Sequence, residues 1–420
     1  MDMLSEVGET MHYKEKFIYV GVDLHKDTHT AVIINCWHEK LGEIQFANKP
    51  SAFAELIKAV KMHSKRLTPV YGLEDVGGHG RSLAVYLTEQ NQRVKEVNAA
   101  LAHSLRVSRP TIHKSDSWDA ECIANTLLDK LDTLPDANPQ DLYWTIGQLV
   151  LRRRALVKAI IIITNQLHGQ LTCAYPSYKQ FFSEVDGKTA LLFWEKYPAP
   201  HHLAGVTTDE LTVFLRGCSN NACSTRKAKQ ILELIEKDGD TKRDYQISRD
   251  FLVRSIVRDI QFKKQEIGCV EAELKTVMAE LDYKLETMPG ISTVTAAELV
   301  TEIGDIRRFS SADKLARFAG IAPVSFGSGG KSKNIKSKQG NRELHSIIYF
   351  LAVRQIGVDR TTKNPRNEAF YSYYTRKVAE GKTKGQALIC VMRRLVNIIY
   401  GMMKNKTEYM LPAIPEKEAV

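Results

Sequence analysis

Two short apolar runs, each followed by an acid, constrain the fold of this chain more than any other feature. The run Phe17–Val22 precedes Asp23, and the run Pro69–Leu73 precedes Glu74. Both runs are rich in β-branched or aromatic residues, which is typical of buried strands. Each run therefore predicts a strand that delivers a carboxylate at its end.

Two further acids, Asp116 and Asp119, are three residues apart at the start of a helical pattern, which places both on one helix face. Taken singly, each of the four acids has an ordinary interpretation as a turn residue, a helix cap or the partner of a lysine. Carboxylates gathered at strand and helix ends repel one another unless a cation neutralises them, and Mg²⁺ prefers oxygen ligands. Together, the four acids predict a Mg²⁺ site suited to phosphodiester chemistry.

The region from residue 17 to about residue 130 alternates predicted strands and helices. The strands are Phe17–Asp23, Thr28–Asn35, Gly42–Asn48, Val70–Glu74 and Arg93–Val97, and the helices are Ser51–Met62, Arg81–Gln90 and Asp119–Leu128. Short links between the first three strands predict antiparallel neighbours, and Ser51 is a predicted N-cap. By analogy, this order is that of an RNase H-like mixed-sheet domain.

Beyond a proline-containing break at residues 134–139, the pattern is mainly helical. Long helical runs are predicted at Gln140–Gln170 and about Ser224–Tyr283, and the apolar spacing of the second run fits long antiparallel helices or a coiled coil. The closing helices are predicted at Arg342–Gly357 and Lys384–Lys404. The predicted fold class is α/β plus all-α. Its predicted divisions are a tail (1–16), the mixed-sheet domain (17–133), a helical or coiled-coil region (140–283), a mainly helical C-terminal domain (284–406) and a second tail (407–420).

The C-terminal domain opens with a turn, Pro289–Ala297, whose sequence is similar to a helix-hairpin-helix connection. Gly290 permits a tight backbone there, and the amides of the following helix can face a phosphate. An ordinary connection between two helices is an equally good interpretation.

A loop rich in Gly, Ser and Lys is predicted at Phe326–Asn341. Its cations and the following arginine suit phosphate binding: Lys331, Lys333, Lys336, Lys338 and Arg342. A solvated flexible loop is the alternative, but a long loop between well-patterned helices favours function. Ser328, between Gly327 and Gly329, is open enough to act as a nucleophile, although no adjacent His or Asp completes a triad.

The helical region carries a further basic cluster, Arg152 and Arg153 followed by Arg154 and Lys158. Consecutive residues cannot share one helix face, so some of these side chains point away from any core. Both a solvated face and a contact with a nucleic-acid backbone fit this pattern.

Composition narrows the class of protein. Lys and Arg number 59 against 49 Asp and Glu, a net charge of +10, which suits a polyanionic partner. The seven cysteines are scattered without a CxxC pair, as expected for reduced thiols. No signal-peptide core is visible and the longest apolar stretches are too short to span a bilayer, so a cytoplasmic, nucleoid-associated protein is expected.

The motifs, taken in order, resemble those of the DEDD-type transposases of bacterial insertion sequences, the bridge-RNA-guided recombinase family with pilin-gene invertases as relatives. The N-terminal matches are Tyr19–Asp23, Gly72–Glu74 and Lys114–Ala120, the last keeping the form K-[ST]-D-x-x-D-A; the C-terminal matches are Met288–Ile291, Phe318–Pro323, Ser328–Lys331 and Arg393–Leu395. The resemblance covers nearly the whole chain and implies a RuvC-like N-terminal domain and a C-terminal transposase domain.

The resemblance also implies roles for these residues. Asp23, Glu74, Asp116 and Asp119 would bind Mg²⁺, and Ser328 would attack a DNA phosphate to leave a covalent phosphoserine. Ser325 and Ser332 lie close by in the sequence as alternatives. A structured noncoding RNA would pair with donor and target double-stranded DNA, leaving the protein to bind backbone shape.

We expect the acids and Ser328 to form a composite site in a homodimer or homotetramer. Two other functions stay open on the sequence. A RuvC-like nuclease or junction resolvase would use water in place of Ser328, and a catalytically silent protein would only bind nucleic acid.

Overall fold

The structure of the chain is a computed structural model that describes residues 12–108, 115–328, 331–335 and 339–410, with residues 324–328 and 331–335 described by their backbone. It divides into two units, residues 1–144 and 145–420. Unit 1 contains a mixed sheet with helices, and unit 2 is mainly helical.

Unit 1 contains one mixed sheet with helices on both faces. In chain order its elements are β1 Phe17–Leu24, β2 Thr28–Ile34, β3 Lys40–Ala47, α1 Pro50–Ser64, β4 Thr68–Leu73, α2 Arg81–Glu89, β5 Arg93–Glu96, α3 Ala99–Ser108 and α4 Asp116–Asp129. The strand order is β3-β2-β1-β4-β5. The first three strands pair antiparallel, whereas β1 with β4 and β4 with β5 pair parallel. The sheet is consistent with a RuvC-like domain.

The central strand β1 is buried on both faces, which explains its unbroken apolar run. Ile18, Val20 and Val22 pack in a cluster that includes residues of α1 and α2. Tyr19 packs on the opposite face in a cluster that includes residues of α4. Successive side chains of β1 therefore pack in two different hydrophobic cores, one on each face of the sheet.

Two local predictions in unit 1 need correction, and one helix was missed. Helix α1 begins at Pro50 with Lys49 as its N-cap, so Ser51 lies inside the first turn. Helix α4 begins at Asp116, not Asp119, because Ser115 caps it by accepting a hydrogen bond from the Trp118 amide at 3.2 Å. Helix α3 was not predicted at all.

Unit 2 is mainly helical. Together with α5, whose first residues precede the division between the units, its elements are α5 Asp141–Ala174, α6 Lys188–Lys196, α7 Thr208–Cys218, α8 Thr225–Asp238, α9 Gln246–Ala279, α10 Thr293–Ile303, α11 Ala312–Phe318, β6 Val324–Ser328, β7 Lys331–Ile335, α12 Arg342–Gln355, α13 Glu368–Ala379 and α14 Lys384–Asn405. Arg153, in the first half of α5, pairs with Glu271, in the second half of α9, as expected of helices that run antiparallel.

The predicted loop Phe326–Asn341 is wrong over much of its length. Residues Val324–Ser328 and Lys331–Ile335 form an antiparallel hairpin, with Ser328 opposite Lys331. The helical run predicted over about Ser224–Tyr283 consists of two helices, α8 and α9, which are separated by residues 239–245.

Helix α14 is long and apolar enough, by length and composition alone, to span a membrane. Half of the tested stretch is nevertheless buried within the protein, and α14 packs with α11, α12 and α13. Burial of this kind is typical of a core helix, so α14 gives no indication of a membrane.

Candidate active site

Strand pairing places Asp23 and Glu74 at the same edge of the sheet. Strands β1 and β4 are parallel neighbours, and Val22 lies opposite Leu73. Asp23 and Glu74 each follow those residues, so their carboxylates leave adjacent strands in the same direction. Both side chains are largely buried, with 13% and 18% of their surface exposed.

The first turn of α4 brings the other two acids to this edge. A Cβ built on Gly21 would lie 2.2 Å from the carbonyl oxygen of Ala120, so the α4 backbone rests directly on β1 there. Asp119 is buried, while Asp116 lies one turn earlier and is exposed. The structure therefore brings all four predicted acids into one site.

Two basic side chains link the acids in pairs. His25 Nε2 lies 3.0 Å from Asp23 Oδ2 and 3.5 Å from Asp116 Oδ1. Arg106 donates through Nη2 to Glu74 Oε1 at 2.8 Å, and its Nε lies 2.8 Å from Asp119 Oδ1. Each base thus joins one acid from a strand end to one acid from α4.

Burial and mutual repulsion disfavour the charged forms of the two strand-end acids. Burial raises the pKa of Asp23, His25 partly offsets that rise, and the charges of Asp119 and Asp116 add to it. Burial likewise raises the pKa of Glu74, against the lowering effect of Arg106. A divalent cation would relieve this repulsion, because it is stabilised where several carboxylates converge.

Comparison with known proteins connects this site with a family. The family described as Transposase IS116/IS110/IS902 matches residues 282–372, and a DEDD transposase family of the IS110 type matches residues 20–176, which include all four acids. The chain belongs to the IS110-type transposases.

Relatives of this transposase match over almost their whole length. An insertion element IS116 protein of Streptomyces clavuligerus is 26% identical over 95% of this chain and 97% of its own. An insertion element IS900 protein of Mycobacterium paratuberculosis is 26% identical over 93% and 97%. A pilin gene-inverting protein of Moraxella lacunata is 24% identical over 93% and 97%. Transposases cut and rejoin DNA, so DNA is the substrate class of this protein.

The donor set of the transposase fits a divalent ion, which DEDD transposases typically use. One ligand atom each of Asp23, His25 and Asp116 lies within 4.8 Å of the others. Glu74 and Asp119 add carboxylate oxygens, one of each lying 2.8 Å from a nitrogen of Arg106. A set of carboxylates with one imidazole suits hard or borderline divalent cations.

The other predicted site residues lie in unit 2. Ser328 ends β6 opposite Lys331, and Lys333 lies in β7 opposite Phe326. Lys336 and Lys338 lie outside the described residues. Arg342 is the exposed first residue of α12.

The turn at Gly290 is tightly held by α12. Gly290 has a φ of +87°, a conformation that favours glycine, and Ser292 caps α10. Gln355 donates a hydrogen bond to the Pro289 carbonyl, and Arg354 donates one to the Gly290 carbonyl at 3.4 Å. Gly290 itself is exposed.

The three arginines of the α5 cluster differ in exposure and in ion pairing. Arg153 is half-buried and pairs with Glu271 at 2.6 Å, and Arg154 pairs with Glu298 and Glu343. Arg152 is exposed and makes no ion pair within the described part of the chain. Arg152 is therefore the member of the cluster best placed to meet a ligand in solution.

His25 and Arg106 belong to the site but were not predicted from the sequence. His25 follows Asp23 by two residues, a spacing that could have marked it. Behind it, the buried His29 stacks on Phe53 and accepts a hydrogen bond from the His25 amide at 3.3 Å. No comparable signal points to Arg106, since the helix that carries it was not predicted.

Proposed function

We propose that this transposase exchanges DNA strands with Ser328 as nucleophile and with a divalent ion, Mg²⁺, held by Asp23, Glu74, Asp116 and Asp119. The observation that carries the proposal is the convergence of these four acids, two of them with raised pKa values, at one edge of the sheet. The bound ion supplies Lewis-acid polarisation of the scissile phosphate.

The proposed covalent step is a transesterification at phosphorus. The Ser328 oxygen bonds to phosphorus as one phosphorus–oxygen bond of the DNA breaks, and the displaced oxygen leaves as a hydroxyl after taking up a proton. The serine proton passes to a base or to solvent. Attack by a hydroxyl of another strand on the phosphoserine reverses the step, so rejoining needs no external energy source.

The site is composite in this proposal, with the acids of one chain serving Ser328 of another in a homodimer or homotetramer. Apolar side chains exposed along the long helices support association of chains: Leu151, Ile161 and Ile162 on α5, and Phe251, Leu252 and Phe262 on α9. Large apolar residues exposed on neighbouring turns are typical of surfaces that pair with another chain.

The deciding experiment traps the covalent adduct. Wild-type protein incubated with Mg²⁺ and labelled DNA carrying the element's ends, together with the noncoding RNA transcribed from its flank, should yield a denaturation-resistant protein–DNA species. Ser328→Ala should lose this species while the matched control variants Ser325→Ala and Ser332→Ala keep it. Retained cleavage by Ser328→Ala would instead support the second candidate, a RuvC-like nuclease in which water attacks.

Two further arms test the partners. Mixing Asp23→Ala and Ser328→Ala chains should restore strand exchange if the site is composite, whereas no recovery at any mixing ratio would contradict that part. Omission of the RNA, or its replacement with a scrambled transcript of equal length, should abolish site-specific exchange if the RNA directs sequence choice.

A further inference from the structure

Unit 2 contains a second convergence of metal-binding side chains, made by His201, His202 and Asp250. The two histidines lie in the 3-10 helix Pro200–Leu203, and Asp250 lies in the first turns of α9. His202 Nε2 is 2.7 Å and His201 Nε2 is 3.3 Å from the same oxygen, Asp250 Oδ2. None of these residues belongs to the active site described above.

The Asp250 carboxylate is held in place from its other side. Gln246 donates a hydrogen bond from Nε2 to Asp250 Oδ1 at 2.8 Å, one helical turn away on α9. Only 6% of the Asp250 side chain is exposed. A buried carboxylate fixed in this way presents its second oxygen in a set direction. Hydrogen-bond partners behind metal ligands orient those ligands in the same manner.

The separations between the donor atoms suit a small transition-metal ion. One ligand atom of each residue lies within 4.8 Å of the others. Tetrahedral zinc with ligands at about 2.1 Å places neighbouring donor atoms about 3.4 Å apart. The distance from His201 to Asp250 is already 3.3 Å, and the distance from His202 needs to open by less than about 1 Å.

A cavity of about 220 Å³ adjoins the cluster and is lined by His201, Asp250 and Gln246. Lys242 and Arg249 line it as well. Three protein ligands leave one position of a tetrahedral ion open. The cavity gives that position access to water, and its two cationic side chains favour a water-derived hydroxide or another small anion there.

We propose that His201, His202 and Asp250 form a transition-metal site, for Zn²⁺ or a similar borderline ion, with its remaining ligand supplied from the adjoining cavity. Two imidazoles and one carboxylate favour Zn²⁺, Co²⁺ or Ni²⁺ over Mg²⁺, which prefers oxygen ligands. The ion would fasten the Pro200–Leu203 segment to α9. This site is separate from the four acids and does not depend on their role.

The test uses Co²⁺ as a spectroscopic probe of the untagged full-length chain, freed of metal with a chelator and kept in excess Mg²⁺ to occupy carboxylate sites. One equivalent of Co²⁺ should produce visible absorption far stronger than that of the aqueous ion, and Zn²⁺ should displace it. Affinity should fall at least about tenfold in His202→Gln and in Asp250→Asn. The exposed His103→Gln is the matched control and should bind as wild type.

His202→Gln keeps a hydrogen-bond donor toward Asp250, and circular dichroism of each variant verifies folding. Co²⁺ absorption no stronger than that of the aqueous ion in the wild-type chain would overturn the proposal, whatever the variants do. Equal affinity in wild type and both ligand variants would overturn it as well.

Discussion

Gly21 of β1 lies in direct contact with the backbone of Ala120 in α4, so closely that a Cβ on Gly21 would be 2.2 Å from the Ala120 carbonyl oxygen. Asp23 follows Gly21 by two residues, and Asp119 directly precedes Ala120. The same contact that packs the helix on the sheet therefore sets the separation between acids that are distant in sequence.

Gly21→Ala should separate α4 from the sheet. The added methyl group meets backbone atoms, which cannot move aside as a flexible side chain can, and overpacking of a core costs about 1–3 kcal/mol or more. We expect a lower thermal unfolding midpoint and weaker Mg²⁺ binding. Gly77→Ala is the matched control, because a Cβ there meets nothing within 4 Å. Unchanged Mg²⁺ binding in Gly21→Ala would contradict this role.

The acids were predictable because each lies at or beside one end of an element whose pattern is visible in the sequence. β1 and the strand before Glu74 are apolar on both faces, and the first turn of α4 has a serine cap. Two helices that were not predicted contribute little to a buried core. Within their described residues, α3 buries only Ala102 and α13 only Phe370.

Long-range pairs could not be predicted for a different reason. Arg106 reaches Glu74 and Asp119 only because α3 lies beside α4 in the fold, and no local spacing encodes that neighbour. The Ser328–Lys331 hairpin was missed because its strands carry glycine and lysine in place of alternating apolar residues.

Arg106→Gln should strengthen Mg²⁺ binding. A guanidinium between Glu74 and Asp119 competes with a cation for both carboxylates, and a unit charge about 5 Å from a divalent ion costs several kcal/mol at an effective dielectric constant of about 20. Because the arginine can swing away, we expect a gain of about tenfold. Isothermal titration calorimetry measures it. Arg106→Lys keeps the charge and should stay near wild type, and weaker binding in Arg106→Gln would refute competition.

Stability of the metal-free chain should depend on pH through Asp23 and Glu74. Their pKa values are raised in the folded state, so the folded chain binds protons more tightly than the unfolded chain. The contribution of these two groups to stability is therefore greatest below the ordinary carboxyl range and declines as pH rises through the raised pKa values. The double variant Asp23→Asn, Glu74→Gln should lack this decline in urea unfolding measured across that pH range.

Mg²⁺ should reverse that dependence. The ion binds the ionised carboxylates, so its affinity for the wild-type chain should weaken as pH falls from neutrality toward the raised pKa values of Asp23 and Glu74. The gain in unfolding midpoint on adding Mg²⁺ should shrink over the same range. An Mg²⁺ effect of equal size at all pH values would show that neither acid is a ligand.

Although Arg152 and Arg153 are adjacent on α5, substitution of Arg152 should affect nucleic-acid binding, whereas substitution of Arg153 should affect stability. Arg152 is exposed, so Arg152→Gln should weaken binding of DNA and RNA alike and reduce the slope of log affinity against log salt by about 1, with little change in stability. Arg153 is committed to Glu271, so Arg153→Gln should lower stability by about 0.5–1 kcal/mol and leave the salt slope unchanged. Filter binding at several salt concentrations and urea unfolding measure the two effects. If Arg153→Gln instead changed the salt slope as much as Arg152→Gln, the pair with Glu271 would have to open when nucleic acid binds, and both arginines would contact phosphate.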